Sequence, residues 1–192
     1  MLQYSYLKRI FEAYVLERKS HLTFWHGKPE INDDMDIDFP KAYYMKFHYK
    51  AYYDGEYDNN GIPLLDYRGN IGKQYNPIAI SQYGLGNYNL YLSKNKTKYK
   101  KSFFKVADWL VDNLEMNRFG IYVWNHYFDF EYRDKLLSPW YSGLAQGLGI
   151  SVLARAYIES KENKYSEALE LAWVSMQKKI NDGGVIYIDN ND

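Results

Sequence analysis

The sequence contains no cysteine among its 192 residues, which excludes disulfide frameworks and thiolate sites. It also lacks any run of about 18 apolar residues, the length that a membrane-spanning helix needs. Its first segment carries charges throughout and has no small-residue cleavage site, unlike a signal peptide. We therefore expect a cytoplasmic protein with no membrane span.

A net charge is absent as well, because 24 lysines and arginines balance 24 aspartates and glutamates. Proteins that bind nucleic acids or membrane surfaces usually carry a basic excess, so we expect neither as a partner. The histidines show no spacing typical of a metal site or a catalytic triad, and we assign no role to His21, His26, His48 and His126.

Aromatic residues, by contrast, are abundant: 22 tyrosines, 9 phenylalanines and 5 tryptophans. Tyrosine joins an apolar ring to a polar hydroxyl. Sugars present apolar C–H faces ringed by hydroxyls, so tyrosine-rich grooves suit them. Ordinary packing at half-buried positions explains most of the tyrosines equally well, and composition leaves both interpretations open.

The stretch from Pro139 to Tyr157 is long enough for a helix and apolar on nearly every side. Such a helix is buried on more than one side. Each of its glycines, Gly143, Gly147 and Gly149, weakens a helix by about 1 kcal/mol relative to alanine. They indicate either close approach of a neighbouring helix or a wall against which a ligand lies.

This stretch has a partner upstream, from Pro77 to Tyr91, and each of the two inner helices is followed by an amphipathic outer helix. The offsets between matching residues are 147−84 = 63, 165−99 = 66 and 184−120 = 64. Helical hairpins that recur at a nearly fixed period predict a solenoid or a closed ring. We predict a mainly α fold, a partial (α/α) toroid of repeated helical hairpins. The outer helices are predicted at Tyr99–Leu114 and Tyr165–Ile180. The predicted apolar face of the first is Phe103, Ala107, Leu110, Val111 and Leu114, and that of the second is Leu169, Ala172, Trp173, Met176 and Ile180.

The N-terminal part, residues 1–60, is predicted to hold one helix and an aromatic arm, followed by the hairpin repeats in residues 61–192. Apolar residues at helical spacing predict a helix that ends near Lys19. From Tyr43 the sequence alternates in parts like a β-strand, and Asp58 to Gly61 is a tight-turn signal. We expect a short aromatic β-like arm that lies over the helices.

Two acidic runs are spaced like oxygen ligands of Ca²⁺. A solvated loop is the preferred interpretation of the first, and the second lacks a downstream bidentate glutamate. We therefore predict no metal site in either: Asp33, Asp34, Asp36 and Asp38 form the first, and Asp54, Glu56, Asp58 and Asn60 form the second.

Two hairpins and the first helix make about five helices, fewer than a closed ring usually needs. We therefore expect either a chain truncated at its C terminus or a homo-oligomer whose second subunit completes the ring. Exposed apolar surface on inner helices would favour such an association.

Five sequence strings in the second part of the chain belong together by their order and composition: Gly61–Leu64, Tyr75–Leu85, Ala107–Leu110, Trp140–Gly147 and Arg155–Tyr157. They resemble the C-terminal domain of the D-glucuronyl C5-epimerase family, which acts on heparan-type polysaccharides. The resemblance covers residues 61–188 and implies an (α/α) toroid with a groove, an acidic polysaccharide or oligosaccharide as partner, and no organic cofactor.

The activity that the resemblance implies is inversion at C5 of a uronate. Removal of the C5 proton leaves a carbanion that must be stabilised through the adjacent carboxylate, with a base on one face and an acid on the other. The family's functional tyrosine matches Tyr88. The rest of the family's set lies beyond Asp192, so we expect an epimerase where that motif is supplied.

Six further residues are candidates for substrate binding. Buried glutamines either bond substrate hydroxyls or cap a neighbouring loop. The arginine either pairs with a uronate carboxylate or forms a structural salt bridge. The aromatic residues either stack on a sugar ring or pack in the core. The six are Gln82, Tyr83, Trp140, Tyr141, Gln146 and Arg155.

Two alternatives to the epimerase stay open. One is a non-catalytic module that binds acidic glycans or takes part in assembly. The other is an α/α-toroid polysaccharide lyase, which begins with the same proton abstraction. A hydrolase would need two carboxylates across the bond. The acidic residues near the inner helices form no such pair: Asp108, Asp129, Glu131 and Asp134.

Overall fold

The computed structural model describes residues 4–33, 42–131 and 135–189. These residues are mainly α-helical, as predicted, with three small antiparallel sheets. The helices are α1 (Tyr4–Tyr14), α2 (His21–Trp25), α3 (His48–Ala51), α4 (Pro77–Lys94), α5 (Thr97–Asp112), α6 (Gly143–Ser160) and α7 (Asn163–Trp173). The strands are β1 (Glu56–Tyr57), β2 (Pro63–Asp66), β3 (Lys73–Gln74), β4 (Glu115–Met116), β5 (Tyr122–Val123), β6 (Phe130–Glu131) and β7 (Lys135–Leu136).

The predicted helical hairpins are confirmed as α4–α5 and α6–α7, and their ends repeat at a constant offset. The N-caps Asn76 and Ser142 each accept a hydrogen bond from a first-turn backbone N–H, with 142−76 = 66. Both inner helices end at a residue in the left-handed region, Asn95 and Lys161, with 161−95 = 66. The offset of 63 that Gly84 and Gly147 predict is therefore three residues shorter than the offset of 66 between the helix ends.

Helix α4 is enclosed on all sides, because α3, α5 and α6 pack around it. Each residue from Pro77 to Leu90 is buried. Helix α6 is buried along most of its length but leaves Leu144 and Tyr157 exposed. Burial on more than one side is thus confirmed for both inner helices.

Close approach explains three helical glycines. A Cβ atom on Gly84 would lie 2.7 Å from Val106, and one on Gly149 would lie 2.5 Å from the Trp124 ring. A Cβ atom on Gly86 would lie 2.3 Å from the backbone oxygen of Phe47. Among the described residues, nothing lies within 4 Å of a Cβ atom built on Gly147, so close packing does not account for that glycine.

The aromatic arm contains β-structure and a tight turn at Asp58 to Gly61, as predicted. Strands β1 and β2 pair antiparallel, and β3 pairs with β2 at the other edge. In the turn, Asp58 Oδ1 accepts from the backbone N–H groups of Asn60 and Ile62, and Gly61 adopts φ +85°. The strand prediction is wrong at α3, where Lys50 is buried and donates to the carbonyl of Phe24, a tertiary contact that alternation does not anticipate.

The second acidic run is occupied by contacts within the protein. Asp54 pairs with Lys19 at 2.8 Å, and Glu56 pairs with Lys73 at 2.6 Å. The first run lies outside the described residues except for Asp33. Across the described ranges, no group of three histidine or acidic side chains is arranged to hold a metal ion.

Helix α1 ends at Tyr14, earlier than predicted, and its apolar face is not the face that it buries. Leu7 and Phe11 are about half exposed, at 49% and 52%, whereas Arg9 and Ala13 are buried. The helix packs against α2. No helix in the described part of the chain is both long enough and apolar enough to cross a bilayer.

The outer helices differ in how well their faces are predicted. On α5 the buried face includes Phe103, Ala107 and Leu110, as predicted. After α7 the chain continues as a 3₁₀-helix, Val174–Gln177. Trp173, the last residue of α7, and Ile180, beyond the 3₁₀-helix, are both exposed, so the predicted apolar face is wrong at these two positions. The tighter 3₁₀ period moves Ile180 off the α-helical face.

The enclosure of α4 is tested by an alanine substitution in α4 and a matched one in α6. Gly86→Ala places a methyl group against the Phe47 carbonyl, and we expect it to lower the free energy of unfolding by about 2 kcal/mol or more. Gly147→Ala meets no neighbour among the described residues and should raise it by up to about 1 kcal/mol through helix propensity. Urea unfolding of both variants measures the difference. Equal effects would contradict the packing described here.

Candidate functional site

Tyr88 lies in the second half of α4 and is fully buried. Its hydroxyl donates to Glu159 Oε1 at 3.0 Å, and its ring packs on Phe103 with 4.7 Å between centroids. Burial raises the pKa of Tyr88 well above its usual value of 10, the Glu159 carboxylate adds to this, and Arg155 opposes it. The phenol therefore stays protonated at neutral pH.

Glu159, near the end of α6, connects Tyr88 to the surface. Its other oxygen lies 3.7 Å from Lys100 Nζ, and the two side chains are 21% and 38% exposed. The Lys100 ammonium also donates to the Tyr91 hydroxyl at 3.4 Å. The Tyr88–Glu159–Lys100 chain of contacts thus joins α4, α6 and α5 and leads from the core to solvent.

Arg155 and Asn89 occupy equivalent positions of the two inner helices, with 155−89 = 66, and both hold the arm. Arg155 donates to the carbonyls of Ser151 and Ala42 at 3.0 and 3.1 Å, and burial lowers its pKa. The Asn89 amide accepts from Tyr43 N at 2.8 Å and donates to the Met45 carbonyl at 2.9 Å. In this structure Arg155 therefore anchors the arm beside Tyr88.

The two candidate glutamines have different surroundings. Gln146 is fully buried and brackets the backbone of Trp124, accepting from its N–H at 3.2 Å and donating to its carbonyl at 3.3 Å. It therefore caps a neighbouring loop. Gln82 is 8% exposed, and its Oε1 atom has no hydrogen-bond partner among the described residues. Tyr83, also buried, packs its ring against Tyr57.

Trp140 and Tyr141 lie at the opposite end of α6. The Trp140 ring stacks on His126 with 3.7 Å between centroids, and its Nε1 donates to the Phe128 carbonyl at 2.8 Å. The Tyr141 hydroxyl donates to the Gly183 carbonyl at 2.9 Å. The structure therefore brings Tyr88 and Arg155 together and places these two aromatic residues elsewhere.

A cationic surface, which the sequence analysis did not predict, adjoins the Tyr88–Glu159–Lys100 chain of contacts. We call it the lysine tip; it spans residues 94–105, around the turn between α4 and α5. It carries six lysines, five of them exposed, and the sequence has no aspartate or glutamate from Tyr67 to Ala107. A local count of carboxylates could have revealed it where the net charge did not. Its members are Lys94, Lys96, Lys98, Lys100, Lys101 and Lys105.

Two tyrosines interact with this surface. The hydroxyls of Tyr52 and Tyr99 lie 2.9 Å apart, and Lys94 Nζ donates to the Tyr52 hydroxyl at 3.1 Å. The hydrogen bonds with Tyr99 and Lys94 lower the pKa of Tyr52. The lysine tip thus combines cations with an exposed aromatic ring, a combination that suits an anionic sugar.

Two histidines to which the sequence assigns no role lie in one aromatic cluster. His21 stacks on Tyr67 at 4.3 Å, Tyr67 packs on Phe128 at 4.5 Å, and His126 stacks on Trp140. Burial lowers the pKa of His126 to about 4, against a weaker effect of its backbone hydrogen bond. Burial, and then the charge of Arg9, lower the pKa of His21 to about 3. Both rings are neutral in the folded protein.

These histidines predict a loss of stability in acid. Below a pH of about 6.5 these histidines become protonated in the unfolded chain but stay neutral in the folded chain. The free energy of unfolding therefore falls by up to about 1.4 kcal/mol per pH unit for each histidine. For His126 this fall in stability ends near pH 4, where the folded chain becomes protonated too. Urea unfolding between neutral pH and this limit should show a shallower pH dependence for His126→Phe. The exposed His26→Gln variant is the matched control, and an unchanged slope in His126→Phe would contradict the assignment.

Comparisons with known proteins identify what the chain is similar to. The family model described as D-glucuronyl C5-epimerase C-terminus matches residues 116–191. A D-glucuronyl C5-epimerase of Caenorhabditis elegans is 33% identical over 97 residues, which is 49% of this chain and 15% of the relative. The chain thus aligns with only a small part of that relative's length. The resemblance of this chain to the D-glucuronyl C5-epimerase family is therefore confirmed.

Proposed function

We propose that this chain is part of a polysaccharide uronate C5-epimerase. An acidic glycan binds along the lysine tip, and a uronate residue is inverted at C5 beside Tyr88 and Glu159. The observation that carries the proposal is the Tyr88–Glu159–Lys100 chain of contacts, which joins a proton donor, a carboxylate and a cation on three helices. The resemblance to an epimerase family supports the choice of reaction.

The chemistry assigns one group to each proton transfer. The Glu159 carboxylate removes the C5 proton, and the electron pair of the broken C–H bond delocalises into the substrate carboxylate. The mechanism requires the sugar ring between the two side chains, so substrate binding breaks their hydrogen bond. The protonated Tyr88 hydroxyl then donates its proton to C5 from the opposite face. The resulting phenolate regains a proton from Glu159, with which it shares a hydrogen bond at 3.0 Å in the resting protein. The cycle closes with no net gain or loss of protons.

Lys100 is the group best placed to hold the substrate carboxylate. Its ammonium is partly exposed and 3.7 Å from Glu159, so a uronate bound there lies next to the proton acceptor. A cation on the developing ene-diolate lowers the barrier to proton removal. The remaining lysines of the tip would contact further acidic groups along the polymer.

The other candidates take supporting parts in this proposal. Gln82 Oε1, which has no hydrogen-bond partner in the part of the chain that the structure describes, would accept from a substrate hydroxyl, and Tyr83 is its neighbour in sequence. Gln146 and Arg155 act by holding the loop and the arm in place, and Trp140 and Tyr141 would contact sugars distant from C5. The two hairpins would form consecutive parts of an (α/α) toroid, completed by further helices or a second subunit. Exposed Leu144, Leu171 and Trp173 favour such packing.

A second function is favoured by the burial of Tyr88. Its ring is fully enclosed and its hydroxyl is bonded to Glu159, so a uronate reaches the phenol only when those side chains separate. A chain in which they do not separate would bind acidic glycans through the lysine tip without chemistry. Hydrogen exchange at C5 distinguishes the two functions.

The test is deuterium incorporation at C5 of glucuronate residues in heparosan incubated with the chain in D₂O. We expect uptake by the unchanged chain and a fall of about 100-fold or more in Tyr88→Phe and Glu159→Gln, because each removes a proton-transfer group. Tyr187→Phe, at a tyrosine that is 75% exposed, is the matched control and should retain full uptake.

Three outcomes separate the proposals. Uptake that survives in Tyr88→Phe would remove Tyr88 from the reaction. Uptake accompanied by chain cleavage and an unsaturated product would identify a lyase. A folded chain that binds heparosan but incorporates no deuterium would leave the binding module.

A further inference from the structure

A second cleft lies away from the Tyr88 group, between α1, the turn at residues 67–71 and the β6–β7 hairpin. Its volume is about 550 Å³, within the range of ligand-binding clefts. The groups that line it are cationic, anionic and aromatic side chains. They include Tyr4, Lys8, Arg9, Tyr67, Arg68 and Lys135.

Arg9 is the unusual member of this lining. The residue is 5% exposed, yet its Nε atom has no hydrogen-bond partner among the described residues. Its guanidinium lies 5.7 Å from the centroid of the Phe130 ring and 5.8 Å from that of Tyr6. Burial lowers the pKa of Arg9, and the charge of Glu131 opposes this. A buried donor without an acceptor is costly, and an anionic ligand would remove that cost.

The carboxylates of the lining have partners of their own. Glu12 lies 3.6 Å from Arg18, and Asp129 pairs with Lys135 at 3.3 Å and accepts from the Ser138 N–H at 3.0 Å. Glu131 acts electrostatically on Arg9. Two of the lining cations are paired as well, Lys135 with Asp129 and Arg68 with Asp66 at 2.7 Å. The buried Arg9 and the exposed Lys8 are then the cations that favour an anionic ligand.

We infer that this cleft is a second glycan subsite, which holds a carboxylate-bearing pyranose with its carboxylate on Arg9. A guanidinium matches a carboxylate in shape and donor spacing. The buried Tyr67 and the exposed Tyr4 also line the cleft. The inference rests on the proposed function only in taking a uronate as the sugar.

The subsite is separated from the proposed reaction centre by the length of α4. The Tyr67 hydroxyl accepts from the Asn76 amide at 2.6 Å, at the start of that helix. Tyr88 lies 88−76 = 12 residues further on, or about 18 Å along the helix axis. A polymer that occupied both sites would be held at two separated points.

The test uses the full chain with Lys96→Gln and Lys98→Gln, so that the lysine tip contributes less. The readout is the Nε–H resonance of Arg9 during titration with D-glucuronate, D-glucose or inorganic sulfate. We expect a saturable shift with glucuronate and none with glucose. Arg9→Gln should weaken glucuronate binding, measured on backbone amides around the cleft, at least about tenfold.

A second variant guards against misfolding of Arg9→Gln. Lys8→Gln changes an exposed cation of the lining and should weaken binding about twofold to threefold. Lys28→Gln, at an exposed lysine outside the cleft, should leave binding unchanged. Equal shifts with glucose, no shift with glucuronate, or sulfate binding alone would overturn the inference.

Glucuronate binding at Arg9 without deuterium uptake from heparosan would support the subsite while removing the epimerase activity. Deuterium uptake without glucuronate binding at Arg9 would do the reverse. The subsite and the proposed function therefore fail separately.

Discussion

The enclosure of α4 is the constraint on which the rest of the structure depends. Since each residue from Pro77 to Leu90 is buried, a polar side chain in that span is costly without a partner, yet Ser81 Oγ and Gln82 Oε1 have none among the described residues. Asn87 donates to the Tyr83 carbonyl, and Asn89 holds the arm. Tyr88 differs because its partner, Glu159, is partly exposed. The route from the core to solvent that we propose for chemistry therefore begins at Tyr88.

The features that local chemistry determines could be predicted from the sequence. The hairpins followed from helical periodicity and from the matching segments, and the turn at Asp58 to Gly61 followed from its residue types. The register of the repeat could not be predicted, because glycines that match in sequence have different neighbours. Gly86 faces the Phe47 carbonyl, whereas Gly149 faces Trp124. The cap positions preserve the offset of 66 because they end the helices themselves.

The partners of buried polar groups could not be predicted, because they come from distant segments. Gln146 binds the backbone of Trp124, 22 residues away, and Arg155 binds the Ala42 carbonyl, 113 residues away. The two buried histidines likewise meet Tyr67 and Trp140 only in the folded chain. The net charge did not reveal the lysine tip either. The 24 lysines and arginines balance the 24 aspartates and glutamates over the whole chain, although the lysine tip has six lysines and no carboxylate.

The central claim is that an acidic glycan binds at the lysine tip beside Tyr88. Heparosan binding to the double variant Lys96→Gln, Lys98→Gln tests it most directly, with Lys178→Gln, Lys179→Gln as a control of equal charge change on another exposed surface. At low ionic strength the account predicts that affinity falls severalfold in the first variant only and that salt weakens the unchanged chain more. Equal losses in both variants, or none, would contradict it.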